Sequence, residues 1–269
     1  MRANLRDWLA PPRSDRAVIA DPGDRRWLGL ETILVVGVTL GYSALRSALS
    51  LLDALLRPQP LSEQSVALNA PQAELSLIDL AAQLAYDARM FGFGALALLL
   101  LWRSGVALRE IGLDRSRPWR DVGGGVLLTA LIGVPGLLLY LGSYALGFSL
   151  NVQPSVLDDT WWRVPALILA AVGNSWLEEV VVVAYLLTRL RQLGMGENAA
   201  LLVSAVLRGA YHLYQGFGGF VGNAIMGLIF GRAWQRTGRL WSLVVAHALL
   251  DIVAFVGYAL LKDVVSWLP

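Results

Sequence analysis

The chain has 269 residues, 56% of them hydrophobic and only 16% charged, with a formal net charge of +2. So few charges cannot cover the surface of a water-soluble domain of this length, and the mean hydropathy of +0.57 agrees. The absence of cysteine excludes disulfides and thiolate metal sites, and the scattered Arg residues form no stripe for nucleic acid.

Residues 1–26 are polar and carry Pro11, Pro12 and Pro22, without the apolar core and small-residue cleavage site of a signal peptide. They are expected to be a cytoplasmic segment. A membrane span needs ~20 apolar residues in a helix. Such stretches follow at roughly 28–56, 76–102, 122–147, 164–189, 197–214, 217–234 and 240–261. The expected fold is therefore an all-α polytopic transmembrane helix bundle of about seven spans. It divides into N-terminal helices over 27–150 and C-terminal helices over 151–269. In the second span Asp79, Gln83 and Asp87 recur every four residues, so one face should point into the bundle or toward water. Pro135 is expected to kink the third span. Gly218, Gly222, Gly227 and Gly231, at GxxxG spacing, are expected to let helices approach closely.

Arg residues crowd the N-terminus and the segments 103–120, 189–191 and 232–239, whereas 57–75 and 148–163 hold one each. The positive-inside rule then puts the N-terminus in the cytoplasm and the C-terminus outside, in the plasma (cytoplasmic) membrane.

Within the fourth span lies LEEVVVVAY, which places Glu178 beside Glu179 in apolar surroundings. An ionised carboxylate at the bilayer centre costs ~2.5–3.5 kcal/mol on insertion scales, so the pair needs compensation. Arg208 and His212 stand one turn apart in the fifth span, and His247 and Asp251 one turn apart in the seventh. The two histidines, the only ones in the chain, both fall in C-terminal spans. Neighbouring helical residues point about 100° apart. Glu178 and Glu179 should thus have different tasks, one on a reacting water and the other toward a positive partner or the substrate. By depth, His212 falls nearer the far membrane face than its partners. Either the fifth span tilts strongly, or it is short and the QGFGGF stretch dips back into the bundle.

Three segments in order, EEVVVV (178–183), RGAYH (208–212) and HALLD (247–251), resemble the motifs of the CPBP/Abi family of intramembrane endopeptidases. These are relatives of the type II CAAX prenyl endopeptidase. The resemblance covers roughly residues 160–255. In the family pattern an Arg stands where this chain has Val183, and a Phe where it has Arg208. We expect Arg208 to supply the missing positive charge from the neighbouring helix.

The resemblance implies hydrolysis of membrane-associated or hydrophobic peptides. Glu178 would be general base on a water that His212 helps to hold, and His247 would stabilise the oxyanion. Asp251 would fix the histidine tautomer, and Glu179 would orient substrate or pair with Arg208. Asn174 and Asn223 would be secondary polar contacts. The family is described both as metalloproteases and as metal-independent glutamate enzymes, so Zn2+ held by Glu178, His212 and His247 stays open beside no cofactor at all. The partners implied are the lipid bilayer and a membrane-associated peptide or protein. The alternative is a catalytically inactive membrane binding or immunity-type protein of the same fold. A proton-coupled transporter is disfavoured because the polar residues concentrate in one half of the chain.

Overall fold

The computed structural model describes Ala10 and residues 18–262, so most of the expected N-terminal segment 1–26 lies outside the described residues. Seven long helices follow: α1 (Pro22–Leu56), α2 (Ser76–Arg103), α3 (Pro118–Ala145), α4 (Arg163–Gln192), α5 (Glu197–Ala210), α6 (Phe217–Thr237) and α7 (Leu240–Leu261). The bundle is all-α apart from one pair of three-residue strands. The helices begin where the sequence signals them. Asp21 caps α1 by accepting the Asp24 N–H at 2.9 Å, and Pro22 and Pro118 stand in first turns, where no intrahelical N–H is lost.

Five of these helices, α1, α2, α3, α4 and α7, are long and apolar enough to cross a membrane. The protein is a multi-pass membrane protein. At 14 residues α5 rises about 21 Å, short of a ~30 Å hydrocarbon layer. Helix α6 has the length but is diluted by five glycines, Asn223 and Arg232. The two elements that fall short are adjacent in sequence and pack on each other. The expectation of a fifth span over 197–214 therefore gives way to a short helix. It stops at Ala210, and residues 211–216 turn back inside the bundle.

Glycines make the α5–α6 approach possible, as their spacing implied. A Cβ on Gly227 would sit 3.0 Å from Ala205 Cα, and one on Gly231 would sit 2.4 Å from Leu201 Cδ1. Helix α3 runs continuously through Pro135.

Loops sort to two ends. At the Arg-poor end, β1 (Ser65–Ala67) pairs in parallel with β2 (Asn151–Gln153), joining the α1–α2 and α3–α4 connections. The α5–α6 turn adds to them through an antiparallel bridge between Ser149 and Gly216. Gly216 has φ +97°, and a Cβ there would lie 2.6 Å from Phe148 O, so only glycine serves. At the Arg-rich end, Arg239 holds Asp114 at 2.8 Å and Asp121 at 2.5 Å, and Arg25 donates to Leu193 O at 2.7 Å.

Helix α4 is the axis, packed by α2, α5 and α7. Its stretch Glu179–Tyr185 is a π-helix, buried throughout. Such a wide turn leaves carbonyls poorly served, and Ser204 of α5 supplies one donor, to Val182 O at 2.8 Å.

Candidate active site

Glu178 closes the α-helical part of α4 and Glu179 opens the π-helical part. The side chains diverge as helix geometry requires. Glu179 is 0% exposed, and its Oε1 accepts from Arg208 Nη2 at 2.6 Å and from His247 Nδ1 at 2.8 Å. Glu178 Oε2 accepts instead from the Tyr211 hydroxyl at 2.6 Å, with Arg208 Nη1 at 3.8 Å. Glu178 lines a cavity of about 800 Å³, which Glu179 and Arg208 do not line.

Because an ionised carboxylate can only accept, the proton on the 2.8 Å contact belongs to His247 Nδ1. Its other nitrogen is then left for the cavity, which His247 lines. Phe230 packs edge-on against the ring and also sits 5.7 Å below the Arg208 guanidinium. His212 is fixed differently. Its Nδ1 lies 2.9 Å from Arg208 O, so this nitrogen donates and the neutral ring presents Nε2 as an acceptor. Tyr211 is held from α1, where Ser47 Oγ donates to Tyr211 O at 2.7 Å.

The expected pairing of Arg208 with the glutamates is present. Val183, at the family Arg position, is 1% exposed and packs in the hydrophobic core. Asp251 departs from expectation. His247 Nε2 is 3.7 Å from Asp251 Oδ2, beyond hydrogen-bond reach, so Glu179 and not Asp251 holds the histidine. The shared helix face allows the contact, but a closer carboxylate on α4 takes the ring. Asp251 Oδ2 accepts instead from Asn174 Nδ2 at 2.9 Å. Asn223 lines the cavity while its amide donates to Gly219 O of its own helix at 2.9 Å.

Among the described residues, no group of three or more His, Asp or Glu is arranged to hold a metal ion. Glu178, His212 and His247 all line the cavity, yet each has one polar atom committed to a protein partner. Each has a second polar atom outside these contacts, and a histidine whose other ring nitrogen donates to an oxygen is oriented as metal-bound histidines are, so the chemistry of the set does not exclude a metal. Sequence reasoning missed Tyr211. It stands beside His212, but an aromatic in an apolar stretch reads as core.

Residues 160–253 match the family model described as Type II CAAX prenyl endopeptidase Rce1-like. The match spans α4 to α7 and contains all three motifs. The resemblance drawn from the motifs therefore holds over this third of the chain, and the matched family is one of proteases. No curated protein and no solved structure matches the chain.

Proposed function

We propose that this protein is an intramembrane endopeptidase that cleaves membrane-associated or hydrophobic peptides with a water activated by Glu178. The observation that carries this reading is the unequal use of two adjacent carboxylates. Glu179 is spent on Arg208 and His247, while Glu178 is left at the cavity wall.

In this reading a water lies between Glu178 and His212 Nε2, which accepts one of its hydrogens. Glu178 takes the other proton as the water oxygen attacks the peptide carbonyl carbon. His247 acts as the imidazolium, with Nδ1–H held by Glu179 and Nε2–H donated to the developing oxyanion. The intermediate then collapses. The C–N bond breaks, and Glu178 returns its proton to the departing amine. Arg208 keeps Glu179 ionised, and Tyr211 fixes the orientation of Glu178. Asp251 and Asn174 form a polar wall for the substrate backbone.

The catalytic groups all fall within 151–269, and 27–150 supply the facing wall through α1 and α2. The Arg asymmetry supports a plasma-membrane protein with a cytoplasmic N-terminus. Because the cavity reaches residues 67–72 at the Arg-poor end, substrate would then arrive from the bilayer or the non-cytoplasmic side.

One observation favours the runner-up, a binding protein without catalysis: Tyr211 and Arg208 both crowd the same Glu178 oxygen. The test compares peptide termini in membranes of cells expressing wild type or Glu178→Gln at equal abundance. Products present only with wild type support the peptidase. Identical profiles support the binding protein.

A further inference from the structure

Among the described residues, the other buried carboxylates have their partners. Asp79 Oδ1 accepts from Gln72 N at 2.8 Å and Gln83 Nε2 at 3.1 Å. Asp121 takes Arg239, and Glu179 takes Arg208 and His247. Asp87 is the exception. It is 3% exposed, its Oδ2 is buried with no hydrogen-bond partner, and no ion pair among the described residues engages it. It lines the same cavity as Glu178.

Its position adds direction. Asp79, Gln83 and Asp87 follow one another along one face of α2. The first two tie the helix to the 70–72 strap, with Gln83 Nε2 donating to Ala70 O at 3.0 Å. Asp87 is the next step inward, about 16 Å from the start of α2. Among the described residues, the other acidic and basic side chains lining the cavity are Glu178, Asp251, Arg46 and the two histidines. Arg46, on α1, is exposed and makes no ion pair with Asp87. An uncompensated buried carboxylate is costly, and a chain that provides for its neighbours leaves this one unpaired at the cavity wall.

We propose that Asp87 is a specificity-determining residue, an anionic subsite that receives a Lys or Arg side chain of the bound peptide. The proposal rests on the peptidase reading. A charge-assisted hydrogen bond in such a place discriminates a cationic from a neutral side chain by about 10- to 100-fold.

The test uses internally quenched peptides with both ends blocked, carrying Lys, Gln or Glu at each position in turn. They are offered to the full-length protein in liposomes as wild type, Asp87→Asn and Asp87→Lys. Wild type should favour Lys over Gln at one position by ~10-fold or more. Asp87→Asn should lose that preference while still cutting the Gln peptide, and Asp87→Lys should favour Glu. Removing an unpaired buried charge should also leave the melting temperature of Asp87→Asn unchanged or raised. A wild type indifferent to Lys, or a preference that survives Asp87→Asn, overturns the proposal. If wild type cuts no peptide, the peptidase reading fails first. Equilibrium binding of the same peptides, measured in a Glu178→Gln background, then decides. Weaker binding of the Lys peptide after Asp87→Asn supports the subsite, and equal binding overturns it.

Discussion

Arg208 of α5 donates to Glu179 of α4 across 2.6 Å, and both side chains are 0% exposed. Two charges so placed are tolerable only together. Breaking a buried pair by removing one partner costs about 3–5 kcal/mol, because the survivor stays buried and charged. Arg208→Met should therefore lower the melting temperature in detergent sharply. Glu179→Gln combined with Arg208→Met should recover much of that loss. Arg208→Glu should abolish activity as completely as loss of Glu178, and retained activity would contradict the compensating role.

The family pattern supplies a reciprocal exchange. In the motifs that this chain resembles, Arg and Phe stand where it has Val183 and Arg208. Val183→Arg alone forces a second cation into the packed core and should destabilise the protein. Val183→Arg with Arg208→Phe restores the charge count and should be more stable than either single variant. Unfolding of the four proteins in a double-mutant cycle gives the coupling, and additivity would rule it out.

Tyr211 should act on chemistry more than on folding. Tyr211→Phe removes the donor 2.6 Å from Glu178 Oε2 and keeps the ring. A hydrogen bond to a charged group contributes about 1.5–3 kcal/mol to stability, so the melting temperature should fall modestly, and kcat/KM should fall ~10- to 100-fold as the base loses its orientation. Unchanged kinetics would show that the hydroxyl does not position the base.

Gly216 links the Arg-poor end to His212. Gly216→Ala meets both a positive φ and the Phe148 carbonyl, and should cost about 1–3 kcal/mol. Activity should drop further than stability because the turn carries Tyr211 and His212. Thermal unfolding and turnover measured side by side separate the two effects.

At the Arg-rich end, hydrogen bonds from Ser116, aided by Arg239, hold the Asp114 carboxyl down at about 2. A depressed carboxyl stabilises fully above its unfolded value of about 3.9, and the contribution disappears as pH falls through the folded value. Wild type should exceed Asp114→Asn in melting temperature above pH 4, and the two curves should converge toward pH 2. Parallel curves would show that this contact contributes nothing.

Much of the bundle could be read from composition, since apolar blocks of span length are local properties. Helices α2 to α4, α6 and α7 start and stop within about four residues of the stretches expected, and α1 starts six residues earlier, at Pro22. Helix α5 reads as a longer span because LLVSAVL is apolar and Leu202, Val203 and Val206 do face outward, but hydropathy does not show that the helix ends at Ala210. The π-helix at Glu179–Tyr185 has no sign in a run of four valines. Charge arithmetic anticipated the Arg208 pairing, because a buried Glu pair demands a cation. The capture of His247 by Glu179 was not anticipated, because i,i+4 spacing on α7 favoured Asp251 and only tertiary packing brings α4 closer. Asp87 was visible as part of a polar face, but its want of a partner is a fact of three dimensions.

In the proposed mechanism adjacent carboxylates divide the work, Glu178 toward the water and Glu179 toward Arg208 and His247. The most direct measurement sets Glu178→Gln beside Glu179→Gln and scores peptide turnover and thermal unfolding for both. Glu178→Gln should fold like wild type and cut nothing. Glu179→Gln should be destabilised, with Arg208 left uncompensated. Equal stability loss in the two variants, or full turnover by Glu178→Gln, would contradict the division.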